Sequence, residues 1–130
     1  MRTIKFRGFN RKNDEWLQGY YLQNRGAHFV CPDEFATNKS WEDYEVEPDT
    51  VGQFTGLHDK NGKEIYEGDI VKCDQFVYEI IYKSRRIASF ALRRKEDMFL
   101  HYFGEAMEAD ECEVIGNIHD NKDLVIKEGV

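Results

Sequence analysis

A chain of 130 residues that is 41% hydrophobic and 14% aromatic has enough apolar side chain to pack one domain's core, which excludes a wholly disordered protein. No apolar run approaches the ~20 residues that a bilayer-spanning helix needs. Met1 to Arg7 carries basic residues with no apolar segment behind them, so neither a membrane contact nor a secretion signal is expected.

The net charge of −7 is unevenly spread. Residues 1–30 hold six Lys/Arg and two acids, and residues 31–50 hold one lysine and seven acids. Residues 74–95 hold six Lys/Arg against two acids, and residues 96–130 two lysines against ten acids. Neutralisation between facing strands is the expected outcome, with a basic patch or complementary faces in an oligomer as the alternatives. Cys31, Cys73 and Cys112 are odd in number and far apart. That pattern predicts three thiols in a reducing cytoplasm rather than a disulfide framework, with Cys73 and Cys112 as small buried hydrophobes.

In chain order, Ile4-Lys5-Phe6-Arg7 alternates as a half-buried strand does, Asn10 to Asp14 is a polar turn, and Glu15 to Leu22 is a second strand. Together they predict an N-terminal hairpin. Asn24-Arg25-Gly26 signals a turn and Ala27 to Cys31 a short strand stopped by Pro32. Asp33 to Tyr44 reads either as a short helix capped by Asp33 or as a loop anchored by Phe35 and Trp41. A strand from about Thr50 to Thr55 follows.

After Cys73 the pattern stays β. Phe76, Tyr78, Ile80 and Tyr82 share one parity, then Ala88, Phe90 and Leu92, with turns at Ser84 to Arg86 and Arg94 to Asp97. Met98 to Phe103 and Cys112 to Ile118 close the strand set, with a loop or single helical turn at Gly104 to Asp110 between them and a tail over residues 121–130. Many short strands without long helices predict a mainly β, barrel-like domain.

The most patterned stretch, Thr55 to Cys73, packs Asp59, Asn61, Glu64, Glu67 and Asp69 around Gly62 and Gly68. It begins like a calcium-binding EF-hand loop, but counting from Asp59 the glycine falls at the fourth position and Ile70 stands where the twelfth-position glutamate belongs. A hairpin explains the residues better. Either Asp59-Lys60-Asn61 forms a type I turn with Gly62 left-handed, or Asn61-Gly62 is the centre of a type I′ turn. Gly68 permits a bend, and Asp69 can accept hydrogen bonds from turn N–H groups. Val71 and Cys73 then face inward, with Ile70 and Lys72 on the other face. Asn61, Gly62, Gly68 and Asp69 are thus turn residues.

Zinc and nucleophilic sites lack their spacing. His28, His58, His101 and His119 are scattered, and His28 and Cys31 fall on opposite faces of one strand. The acids Glu105, Glu108, Asp110, Glu111 and Glu113 read as a solvated face. No phosphate-binding or nucleophile-elbow motif occurs, so the expectation is no enzyme, no metal and no cofactor. Arg85, Arg86, Arg93, Arg94 and Lys95, interleaved with Tyr78, Tyr82 and Phe90, form the one basic segment suited to a single-stranded nucleic acid or a protein partner. Its aromatics alternate like core residues and its flanks are acidic, which makes nucleic acid the weaker reading.

Three blocks carry a family resemblance. Ile4-Lys5-Phe6-Arg7-Gly8-Phe9, the run from Gln53 to Val71 (QFTGLHDKNGKEIYEGDIV) and Glu113 to Asn121 (EVIGNIHDN) resemble, in the same order, the blocks of YopX-like proteins. An aromatic is common there in place of His119. The resemblance implies a cytoplasmic protein encoded by bacteriophages or prophages, an SH3-like barrel, and a homo-oligomer. It brings no catalytic residues.

The chain is therefore expected to be one mainly β domain with little helix. An N-terminal hairpin and loop region would span residues 1–50, an SH3-like barrel residues 51–120 and a tail residues 121–130. It would act by binding, as a homo-oligomer or on a host or phage protein. A weak nucleic-acid-binding barrel and an acidic inhibitor of a host protein are the alternatives.

Overall fold

The alternation of apolar and polar residues, punctuated by Gly, Asn and Asp turns, becomes ten antiparallel strands and no α-helix among the residues described. The computed structural model describes residues 4–34, 36–83, 89–98, 100–102 and 108–121. It divides into two compact units, residues 1–54 and 55–130.

In the first unit β1 (Phe6–Asn10) pairs with β2 (Glu15–Asn24), which pairs with β3 (Ala27–Cys31). Gly52 and Gln53, the start of β4 (Gly52–His58), pair with Arg7 and Phe6 on the other side of β1. The order is therefore β3-β2-β1-β4. Phe29, Cys31 and Tyr44 are the buried cluster of this unit, with Leu17, Leu22 and Ala27 packed on it.

Two glycines let backbones approach closely. A Cβ on Gly8 would fall 2.8 Å from Val46, and one on Gly19 would fall 2.0 Å from the Cys31 carbonyl oxygen. Asn10, almost fully buried, ties loop to sheet. Its side-chain amide donates to the carbonyls of Glu42 (3.1 Å) and Glu45 (2.8 Å), and its oxygen accepts from Asn13 N–H (2.7 Å).

The segment between β3 and β4 is a loop with short helical turns, and among the described residues no helix capped by Asp33 forms. The first is a short 3-10 turn, Trp41–Asp43, capped by Ser40 in a reciprocal box with Asp43. The spacing Ser40-x-x-Asp43 carries that signal locally. Tyr44 is the buried anchor, while Trp41 is 55% exposed and meets Phe29 edge-on; Phe35 lies outside the described residues. A second 3-10 turn, Pro48–Thr50, leads into β4.

In the second unit the later residues of β4 pair with β5 (Glu64–Tyr66). β6 (Asp69–Cys73), β7 (Phe76–Lys83), β8 (Ser89–Arg94) and β9 (Leu100–Tyr102) form a meander. β10 (Cys112–Asn117) returns beside β6, giving the order β10-β6-β7-β8-β9. Ile65, Val71, Tyr78, Ile80, Phe90 and Leu92 are the centre of its core. The parity of Tyr78, Ile80, Phe90 and Leu92 is that of the sequence, but Ile70, placed opposite Val71 on β6, is buried too. A central strand buried on both faces explains this. Residues 84–88, 103–107 and 122–130 lie outside the described residues, and with them the turn expected at Ser84 to Arg86, the start of the segment Gly104 to Asp110 and nearly all of the expected tail.

The cysteines require a correction. Cys73 and Cys112 are not separate thiols. The β6–β10 ladder sets them opposite each other with Cα atoms 4.4 Å apart, and they form a disulfide across 39 residues of sequence. That separation matches a non-hydrogen-bonded antiparallel pair, the geometry in which facing side chains come closest. Both sulfurs lie in the core, so their burial is as expected even though their bonding is not. Cys31 is the remaining free, buried thiol.

Candidate functional site

The acidic stretch Thr55 to Cys73 resolves into two backbone devices. At the tip of the β4–β5 hairpin, Gly62 N–H donates to the Asp59 carbonyl (3.0 Å) and Asp59 N–H to the Lys63 carbonyl (2.8 Å). The left-handed position falls on Gly62, at φ 82°. This is the type I turn followed by a left-handed glycine. One oxygen of the buried Asp59 carboxylate accepts from Asn61 N–H (2.8 Å) and Lys63 N–H (2.9 Å), and the other accepts from Val114 N–H of β10 (2.9 Å). Lys60 N–H reaches the Cys112 carbonyl (2.9 Å). Asp59 therefore stitches the hairpin tip to β10, with three backbone N–H groups on its carboxylate.

The second device is the bend into β6. Gly68 turns at φ 91° while its N–H donates to the Ile80 carbonyl (2.8 Å) and its carbonyl accepts from Ile118 N–H (2.9 Å). Asp69, 1% exposed, accepts from Tyr66 N–H (2.7 Å). Beyond β10 the pattern recurs. Asn117 accepts from His119 N–H (2.9 Å) and Asp120 N–H (2.8 Å), and the Asn121 side chain caps Asn117 N–H (3.1 Å). Gly116 leaves room for that cap, since a Cβ there would sit 2.4 Å from the Asn121 side-chain oxygen.

Two expected results follow from this geometry. Open space surrounds Gly62, so Gly62→Ala meets only the left-handed backbone penalty and should cost about 1 kcal/mol in thermal or urea unfolding. The second concerns acid. Burial pushes the Asp59 carboxyl up, but the backbone N–H groups of Val114, Lys63 and Asn61 outweigh it and hold the group below the ordinary aspartate range. A carboxyl whose folded pKa is depressed stabilises the fold fully above its unfolded pKa, about 3.9. That contribution is lost as pH falls through the folded value. Circular dichroism followed from pH 7 downward should show the second unit weakening only below about pH 4. The acid-induced loss should be shallower in Asp59→Ala, which has already forfeited the bonds.

The basic segment is partly neutralised. Arg93 pairs with the buried Glu79 (2.8 Å), and Arg94 grips Asp97 with two nitrogens (2.8 and 2.5 Å) while lying over the Phe76 ring. Lys95 lines a shallow depression with Gln75, Phe76, Val77 and Glu96. Arg85 and Arg86 lie outside the described residues. Tyr78 and Phe90 are core, and Tyr82, 41% exposed, packs edge-on against Phe90.

The N-terminal charge blocks likewise meet each other. Arg11 bonds Glu47 (2.7 Å), and Lys12 reaches Asp43 (3.1 Å) and Glu42 (3.7 Å). Arg11, Lys12, Glu47 and His28 border a cleft of about 270 Å³. His28 is held from behind by the Tyr21 hydroxyl (2.5 Å).

Residue-by-residue reading of the sequence missed the aromatic surface of the first unit. Tyr20 is 60% exposed on β2. By strand parity it shares a face with Trp16, which packs edge-on against Phe9 under the Arg7 guanidinium. Trp41 stands out beside Phe29. The alternation Trp16-x-Gln18-x-Tyr20 was the available signal; it gives a face but not its exposure.

No curated protein matches the chain. Among solved structures, it is similar to protein EF1440 from Enterococcus faecalis, with a TM-score of 0.54 at 26% identity over 95% of this chain and 99% of that one. Among the described residues no helix is long and apolar enough to cross a membrane. The family model described as "YopX protein" matches residues 5–125, a span that holds both backbone devices and the Asn117 cap. The chain belongs to the YopX protein family.

Proposed function

We propose that this protein acts by binding rather than by catalysis, as a phage- or prophage-encoded accessory protein that works in the bacterial cytoplasm as a homo-oligomer. Family membership supports the phage setting. The observation that carries the binding reading is the aromatic surface of the first unit, where Tyr20 and Trp41 are 60% and 55% exposed. Large exposed rings with a polar handle are what protein interfaces use as anchors. The use of Asp59, Asp69, Asn10 and Asn117 as backbone acceptors and donors supports the same reading, since it places these polar groups in the scaffold.

Light scattering of the purified chain over a wide concentration range tests the proposal. The expected mass exceeds that of one chain, and Tyr20→Ala with Trp41→Ala lowers it while the circular dichroism spectrum stays native. A monomer at every concentration, unchanged by the double substitution, would count against self-association through this surface.

A further inference from the structure

Cys73 and Cys112 are placed for more than a permanent cross-link, and we propose that they form a reversible dithiol/disulfide couple that sets how firmly β10 is held on β6. The inference does not depend on what the protein binds.

Three features of the pair carry it. First, the ladder keeps Cys112 opposite Cys73, followed by Glu113 opposite Lys72 and Val114 opposite Val71. The bond can therefore open and close without a change of register. Second, the Cys112 sulfur lies 3.6 Å from the Glu108 carbonyl oxygen. A Cys112 thiol formed on reduction has an acceptor waiting, and the small apolar surroundings of Ile65, Val71 and Ala109 suit a thiol as well as a disulfide. Third, Cys112 is the first residue of an edge strand, directly after the 3-10 turn Ala109–Glu111. Fraying from that end exposes the sulfurs without unfolding the meander, because edge strands and element ends open at lower cost than a core. The Asp59–Val114 and Lys60–Cys112 bonds hold this end shut and set the opening cost.

The chemistry is thiol–disulfide exchange with a low-molecular-weight disulfide such as oxidised glutathione. One cysteine, as thiolate, attacks the reagent's disulfide. A mixed protein–glutathione disulfide forms and one glutathione thiolate leaves. The second cysteine thiolate attacks the mixed disulfide at the protein sulfur, closes the Cys73–Cys112 bond and expels the second glutathione. Two electrons pass from the protein to the reagent, and the two thiol protons go to solvent or to the leaving thiolates. Reduction by two glutathione thiols runs the same path in reverse. A dithiol such as dithiothreitol forms the mixed disulfide with one thiol, and its second thiolate attacks its own sulfur there, closing a cyclic disulfide and releasing the second protein thiolate.

The test uses the full chain as Cys31→Ala, with wild type mapped in parallel by alkylation and mass spectrometry. In glutathione buffers of varied ratio, the pair should interconvert while the circular dichroism spectrum stays folded in both states. The rate of reduction by dithiothreitol should be flat across sub-denaturing urea, the mark of local opening. Asp59→Ala should raise that rate about tenfold or more by removing the stitch to Val114. A reduction rate that climbs with urea in step with global unfolding would overturn the proposal. So would failure of the reduced, folded chain to re-form this bond in oxidised glutathione.

Discussion

Reduction of the Cys73–Cys112 bond should lower the stability of the second unit by about 3–4 kcal/mol, the largest single effect expected from one covalent change. The loop closed by the bond spans 39 residues, and chain-entropy scaling gives a value of this size for loops of a few dozen residues. The native state should change little, because the two Cα atoms already sit at the spacing of an ordinary antiparallel pair. The loss therefore comes from a denatured chain that regains freedom. For a unit of this size the melting temperature should fall by about 10 °C or more. Parallel thermal unfolding of oxidised and fully reduced, alkylation-checked samples measures it. Equal melting temperatures would mean that the reduced denatured chain is already restricted or that the bond is strained in the native fold.

Gly19→Ala is expected to disrupt the first unit, at a cost above about 3 kcal/mol, because a side chain there collides with backbone. Gly19 has φ 153°, and its Cβ would fall 2.0 Å from the Cys31 carbonyl oxygen and 2.7 Å from its carbon. The β2–β3 register pairs Tyr20 with Cys31, so relieving the clash means parting those strands. Gly8 provides the control. The three atoms nearest a Cβ there all belong to the Val46 side chain, at 2.8–2.9 Å. Gly8→Ala should cost less, about 1–3 kcal/mol as for an overpacked core position, and Val46→Ala should recover part of that loss. No side-chain trimming should rescue Gly19→Ala. Urea denaturation of Gly19→Ala, Gly8→Ala and Gly8→Ala combined with Val46→Ala, followed by tryptophan fluorescence from Trp16 and Trp41, separates the two cases.

What could be read from the sequence was what is local. Ala27 to Cys31 has the same bounds in sequence and structure because Gly26 and Pro32 mark both ends. The hairpin tip could be narrowed to two turn types from Asp59, Asn61 and Gly62 alone, since turn preference resides in those side chains and in φ; the structure selects the first. Parity gave the buried positions Tyr78, Ile80, Phe90 and Leu92, while Tyr82 of the same parity is 41% exposed.

What the sequence hid was register between distant strands. Nothing near Cys73 points to Cys112, because that pairing depends on β10 returning beside β6. The same holds for Asp59 and Val114. Ile70 was assigned to an outer face because alternation assumes a strand covered on one side only. The Ser40 cap was missed although its spacing was visible, since Asp33 offered an equally good local signal.

The acidic stretch Thr55 to Cys73 is scaffold, with Asp59 binding backbone N–H groups of the hairpin turn and of β10. Amide hydrogen exchange on Asp59→Ala tests it most directly. The amides of Asn61, Lys63 and Val114 should lose protection together, with a stability loss of about 2–4 kcal/mol for the unpaired donors. Full protection of those three amides at unchanged stability would contradict the account and return Asp59 to the list of side chains free for chemistry.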